Sequence, residues 1–421
     1  MEPATPHPNR ATGIGPYFSS LQLFLTLTWT VYVIFLPKLA AQVGIRPQAV
    51  IMILMLDQAI FAVMDWLMGR MADRWARVLG QLSRIVAVTT AISCIAFLAL
   101  PFVASTGSEA LFLAVTVLWS ASSSVLRAPP MALLGKYASR DAVPWLASLS
   151  MFGLGVAGAL APYLTVALRE TDPRLPFALA SVALLLVTLS LGWAERRLVD
   201  GAAQAAPAPT SSVASDAETR TPIALFLLAV LLLGLGFQIH FSLNTAPMFL
   251  KFAQPADLEQ LMPVFWIGFN LLMLPGTAWT RRYGGLWVMA GGGVVAALAA
   301  FAALHAGSLA ALGAAQFIAG GAWGCVMMSA VTAALTLGHP GAEAGGESAK
   351  TGNEGSITGA LFSLLAIATF ARMMIVWTEL NKDVAFAAVQ PWLPIAAWTL
   401  AAGLLLVIAQ RRDTGGTLRR G

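Results

Sequence analysis

The chain has 421 residues, 58% of them hydrophobic and only 11% charged, where a soluble domain carries about 25% charge. The charges cluster between long apolar runs, which excludes a water-soluble globular protein and marks a polytopic membrane chain. A formal charge of +5 spread over the segments between spans is a topology signal rather than a nucleic-acid footprint, and two cysteines inside apolar runs, Cys94 and Cys325, exclude a disulfide framework or structural zinc site.

Reading the apolar runs against Pro, Gly and charge punctuation predicts an all-α integral membrane fold of twelve transmembrane helices. They are expected near 17–37, 48–69, 80–103, 110–133, 143–167, 175–195, 222–244, 260–280, 286–305, 309–336, 356–378 and 387–409. The opening MEPATPHPNRATG has no basic stretch ahead of a short apolar core and cleavage site, so the first run is expected to be a retained span.

Seventeen of the 25 Lys and Arg residues fall in segments on one side of this arrangement and six on the other, with Arg127 and Arg372 inside spans. The positive-inside rule then places both termini in the cytoplasm. The expected organisation is a cytoplasmic tail (1–16), a first six-helix bundle (17–196), a cytoplasmic linker (197–221), a second bundle (222–410) and a cytoplasmic tail (411–421). The linker assignment rests on the Ala/Pro/Ser/Thr-rich stretch 201–220, which has no apolar periodicity. Ala/Gly-rich composition and short loops suggest a bacterial inner membrane and a monomeric carrier. The halves echo each other: Gly69 to Arg74 after the second span recurs, degenerate, as Gly276 to Arg281 after the eighth, 207 residues later. Two such halves sharing a midplane site is a recurrent transporter design.

The second span holds two aspartates, Asp57 and Asp65. A carboxylate in hydrocarbon costs about 2.5–3.5 kcal/mol even on lenient scales, so each is a functional candidate if a partner can be named. Depth counting at about 1.5 Å per residue puts Arg127 level with Asp65, and Arg372 near Asp57. Asp65 with Arg127 and Asp57 with Arg372 are thus level in the membrane. Each is read either as a group that binds and releases a proton or cation, or as a permanent structural pair. Pro129-Pro130 should break the fourth span near Arg127, and broken helices survive at membrane depth only against protein or a cavity.

In the seventh span, Gln238, His240, Ser242, Asn244 and Thr245 form a polar patch. Gln238 and Asn244, with Asn270 and Gln316 elsewhere, are candidate substrate contacts. His240, the one histidine within a span interior, is either a coupling group able to titrate near neutral pH or a satisfied core residue. Trp29, Trp119 and Trp323 are weaker cavity candidates. In the fifth span, Gly153, Gly158, Ala157 and Pro162 read as close helix packing.

Residues 69–77, GRMADRWAR, resemble the loop between helices two and three of the major facilitator superfamily, G-x-x-x-D-(R/K)-x-G-(R/K). Gly69, Asp73, Arg74 and Arg77 match, and Ala76 replaces the second glycine. The resemblance covers essentially the whole chain. It implies a secondary transporter working by alternating access on a small solute, coupled to H+ or Na+, with this loop as a cytoplasmic latch. It also implies that helices two and eleven meet between the halves, so that Asp57 with Arg372 is expected as a pair across the halves and Asp65 with Arg127 as one within the first half, and that helix seven lines the central cavity. A drug or metabolite exporter, or a non-transporting sensor, would share the fold. Asp65 to Asp73 is similar to the D-P-x-x-G-x-x-x-D pattern of glycoside–pentoside–hexuronide:cation symporters, with Trp66 in place of the proline. Residues 129–133, PPMAL, are similar to the P-Y-G-A-L segment of that branch. The fifth span lacks the Gly-Pro dipeptide of drug antiporters.

Other classes fit poorly. Residues 345–351 suggest a phosphate loop but carry Ala349 where glycine must precede the lysine, and no strand precedes them. The sixteen methionines suit Cu(I) chemistry but equally fill apolar helix surfaces. No loop is long enough to shape a membrane enzyme's active site. No enzyme activity, cofactor or metal is expected.

Overall fold

The computed structural model describes residues 13–76, 78–203, 216–338 and 352–417, and these form helices and short connections with no strand among them. Twelve helical segments are long and apolar enough to cross a membrane. In chain order they are α1 (Gly15–Gln42), α2 (Pro47–Trp75), α3 (Gln81–Ala104), α4 (Glu109–Tyr137), α5 (Val143–Leu168), α6 (Arg174–Gly201), α7 (Pro222–Phe249), α8 (Pro255–Tyr283), α9 (Gly285–Leu304), α10 (Leu309–Gly338), α11 (Glu354–Trp377) and α12 (Val384–Arg411). At 20 to 30 residues each, all reach across a hydrocarbon core of about 30 Å.

Two bundles result. In the first, α1 packs on α5 and α6, and α3 on α4 and α6; in the second, α8 and α9 pack on α10, and α12 on α7 and α9. The bundles meet chiefly where α2 runs against α11 and α5 against α8. We call the end at which α2 leads into α3, and α6 and α7 approach the linker, the linker face.

Small residues set these contacts. A Cβ on Gly153 would run into the Ser19 carbonyl oxygen of α1 and lie 2.9 Å from the Leu23 nitrogen, so the glycine is what lets α5 close on α1. Gly153→Val is expected to lower the thermal midpoint in detergent by the equivalent of about 1–3 kcal/mol; an unchanged midpoint would show that the helices can part freely.

A carboxylate not anticipated from the sequence ties the first bundle at its linker face. Glu195 of α6 is buried and accepts from the Gly80 backbone N–H at 3.0 Å and the Ser83 hydroxyl at 2.6 Å, holding the start of α3. An anion at a helix N-terminus offsets its partial positive charge.

Both ends of the segment read as linker are helical: a helix continues to Ala203 and another begins at Asp216. Residues 1–12, Arg77, 204–215, 339–351 (with the loop that suggests a phosphate site) and 418–421 lie outside the described residues.

A cavity between the bundles as the candidate functional site

The two bundles enclose a cavity of about 820 Å³. Its lining runs from Gln22 and Thr26 of α1 up to Pro37, Ala41, Ile45 and Pro47, the α1–α2 connection on the face opposite the linker. The cavity is therefore open toward that far face.

The linker face is shut by α2 against α11. Asp73 accepts from the backbone N–H of Gly355 at 2.7 Å and of Ser356 at 2.9 Å, and also from the Ser356 hydroxyl, so its carboxylate caps α11 across the bundle interface. Gly69 allows this approach: a Cβ there would sit 2.7 Å from the Gly359 Cα and 3.0 Å from its nitrogen. A Cβ on Gly359 would in turn meet the Asp65 carbonyl oxygen at 2.5 Å. One turn further in, the Ser363 hydroxyl donates to the Ala62 carbonyl at 2.6 Å. Arg74 is exposed at this face. Gly355 and Gly359 form a small-xxx-small pair, a signal present in the sequence that the span-by-span reading passed over.

The Asp65–Arg127 pair is formed. Arg127 Nη1 lies 2.9 Å from Asp65 Oδ2, and the guanidinium sits 3.8 Å over the Phe61 ring. Asp65 is fully buried while the Arg127 side chain keeps 23% exposure and lines the cavity. Local backbone explains the placement. α4 tightens to a 3₁₀ turn at Ser124–Leu126 and restarts at Ala128, with Pro129 and Pro130 in the first turn, where missing N–H groups cost nothing.

The expected Asp57–Arg372 pair is not formed. Both Asp57 oxygens are taken within the first bundle, by the Tyr32 hydroxyl at 2.8 Å and the Ser120 hydroxyl at 2.6 Å. The reason is register. α2 and α11 run antiparallel with Ala62 beside Ser363 and Asp65 beside Gly359, which sets residue 367 opposite Asp57. Arg372 lies five residues on, about 7.5 Å nearer the far face and turned to another side of the helix. It lines the cavity instead.

Of the four polar cavity candidates, only Gln238 lines the cavity, where its Nε2 donates to Thr369 Oγ1 at 2.9 Å. Asn244 bonds instead with Gln390 at 2.8 Å. Asn270 is buried at the α5–α8 contact beside Gly155. Gln316 is buried against His240, 3.0 Å from its Nε2. His240 itself packs on Phe265 and Trp398 and does not line the cavity, so of the two readings the satisfied core residue describes its setting. It opens a π-helical turn, His240–Asn244, a feature common near functional sites. Trp29, Trp119 and Trp323 do line the cavity. The sequence reading missed Gln58, Thr369 and Trp266 on the wall, because neutral polar and aromatic residues in spans look alike whether they face a cavity, a neighbour or lipid.

Two bundles shut at one face around a central cavity, with an Asp–Arg pair at membrane depth, have the architecture of a membrane carrier. The family model of the Major Facilitator Superfamily matches residues 18–371, and the chain belongs to that family. Its fold resembles the human organic anion transporter MFSD10 (TM-score 0.65, 15% identity, 96% of this chain and 99% of that one). It also resembles a bacterial homologue of the iron transporter ferroportin in an outward-facing state (TM-score 0.69, 12% identity, 94% and 99%). A third similar structure is the E. coli fucose:proton symporter FucP (TM-score 0.60, 12% identity, 94% and 98%). No curated protein sequence matches the chain. Family and fold are those of an integral membrane transporter for a small solute rather than an enzyme.

Proposed function

We propose that the chain is a secondary active transporter of the bacterial inner membrane that works by alternating access. The linker face is cytoplasmic, as the excess of Lys and Arg there requires, so the conformation described is open to the outside. The carrying observation is the contrast between the two faces, a cavity open on one side and an Asp73–α11 latch on the other.

Asp57 is the coupling group of this reading, and the proton its ion. It is a fully buried carboxylate whose only partners among the described residues are two neutral hydroxyls, so no cation offsets its charge. Its sequence neighbour Gln58 lines the cavity, which places the carboxylate one residue from the transport path. Asp65 differs in having the Arg127 guanidinium as a counter-charge 2.9 Å away.

The test is a thermal-shift screen of purified protein at two pH values, with and without Na+, against sugars, amphipathic drugs and small organic ions, followed by flux in proteoliposomes carrying a lumenal pH dye. A ligand at 100 times its dissociation constant stabilises by about 2.7 kcal/mol, well within detection. Solute entry by the wild type should acidify the lumen, and Asp57→Asn should bind the solute yet move no protons. Sodium-driven flux, or proton movement undiminished in Asp57→Asn, would overturn the assignment.

A further inference from the structure

Two guanidinium groups line the cavity, and their settings differ. Arg127 is neutralised by Asp65 and stacked on Phe61. Arg372 has no ion pair or aromatic partner among the described residues, and its Nε is buried without a hydrogen bond. Arg372 is half-buried at the cavity wall without a counter-charge, which is costly, so its partner is expected from within the cavity.

The rest of the lining limits that partner. Among the described residues no Asp or Glu lines the cavity, so no carboxylate there pairs with a cation. Rings contribute a large part of the apolar wall, among them Trp29, Trp119, Phe237, Phe241, Trp266 and Trp323. Neutral polar groups also line the wall, but the hydroxyls of Thr26, Thr28, Ser123, Ser242 and Thr369 already donate, to a carbonyl of their own helix or, for Ser242, to Gln238. Thr369 lies one helical turn from Arg372 and accepts from Gln238. A polyol's oxygens would find no free donor among these hydroxyls, and each unpaired group is costly. A planar carboxylate matches the guanidinium fork in two parallel hydrogen bonds, and an aromatic or aliphatic body matches the rings. At about 820 Å³, the cavity falls in the range that holds drug-sized molecules.

We propose that the transported solute is an amphipathic organic monoanion, a carboxylate on an aromatic or aliphatic body, held by Arg372 with its body against the cavity tryptophans. This disfavours the sugar substrates suggested by the partial sequence similarity to glycoside symporters. It rests on the carrier reading above and names the substrate class of that same cavity. Positive charge at Arg372 also complements proton coupling, since a proton on Asp57 and an anion on Arg372 enter together without net charge.

The test is calorimetric titration of full-length protein in lipid nanodiscs with matched probe sets. They are 1-naphthylacetate, its amide and 1-naphthylethylamine; octanoate, octanamide and octylamine; and glucuronate, glucuronamide and glucosamine. In the naphthyl or octyl set the carboxylate should bind at least about ten-fold more tightly than its amide and amine, as loss of a charged hydrogen-bond pair predicts. Arg372→Gln should erase that preference while leaving the amide's affinity in place, and Arg372→Lys should retain part of it, since lysine keeps the charge without the fork. An amine or amide binding as tightly as the carboxylate, a glucuronate preferred over both apolar carboxylates, a preference that survives Arg372→Gln, or no carboxylate binding at all would each overturn the proposal. The carrier reading is checked apart from any ligand, by thiol accessibility in the cavity as described below. Switching of accessibility without carboxylate binding sinks the substrate class alone, whereas labelling from one face alone together with no transport sinks the carrier.

Discussion

Gly69→Val should abolish transport and turn the cavity toward the linker face. The substituted side chain begins with a Cβ 2.7 Å from the Gly359 Cα, and backbone cannot step aside as the end of a flexible side chain can. Overpacking of this kind costs about 1–3 kcal/mol, and it falls only on the conformation in which α2 and α11 touch. Two conformations of a carrier differ by a few kcal/mol, so about 2 kcal/mol moves the population roughly thirty-fold. The check uses Thr26→Cys, on the cavity wall, in a background with Cys94 and Cys325 replaced, reacted with an impermeant maleimide applied to either face. Labelling should come from the far face while Gly69 is kept, and from the linker face once Gly69→Val is added. Unchanged labelling and transport would mean that the Gly69–Gly359 contact does not hold this conformation.

Removing one member of the buried pair should cost far more than removing both. Arg127→Gln leaves Asp65 fully buried with no counter-charge, and breaking a buried pair in this way destabilises by about 3–5 kcal/mol. Asp65→Asn with Arg127→Gln removes both charges, and its stability should return most of the way. Thermal midpoints of the two variants in the same detergent decide the point. The double variant also separates the two readings of the pair. Wild-type flux would make it a structural clamp, and lost flux on a stable protein would make it part of the cycle. Equal damage in single and double variants would show that the carboxylate needs no partner, against its 2.9 Å contact.

The cavity arguments gain from seeing why some residues could be placed from sequence and others could not. Asp65 and Arg127 belong to the same bundle, on helices running the same way, so counting residues from the membrane edge put them level. Asp57 and Arg372 belong to different bundles, and their relation depends on how α2 and α11 slide past one another. That slide is set by Gly69, Gly355 and Gly359, where backbones touch, and by Asp73 on the start of α11. An offset of five residues was enough to send Arg372 to the cavity and leave Asp57 with Tyr32 and Ser120.

What the chain carries in its linear order is the membrane fold: runs of about twenty apolar residues have no alternative to spanning helices, since backbone polar groups in lipid must be satisfied within the helix. The excess of Lys and Arg on one side, the repeat of the Gly69 loop at Gly276 and the break at Pro129-Pro130 are likewise local properties, readable one segment at a time. Tertiary structure alone decided which polar residues meet. Gln238 and Asn244 lie six residues apart in one segment, yet the first faces the cavity and the second bonds to Gln390; His240 and Gln316 bond to each other away from it. The physical reason is that inside a membrane no hydrophobic gradient sorts one face of a helix from another. Lipid and protein interior are equally apolar, so facing is settled by close packing and hydrogen bonds between helices, and these exist only once the helices are assembled.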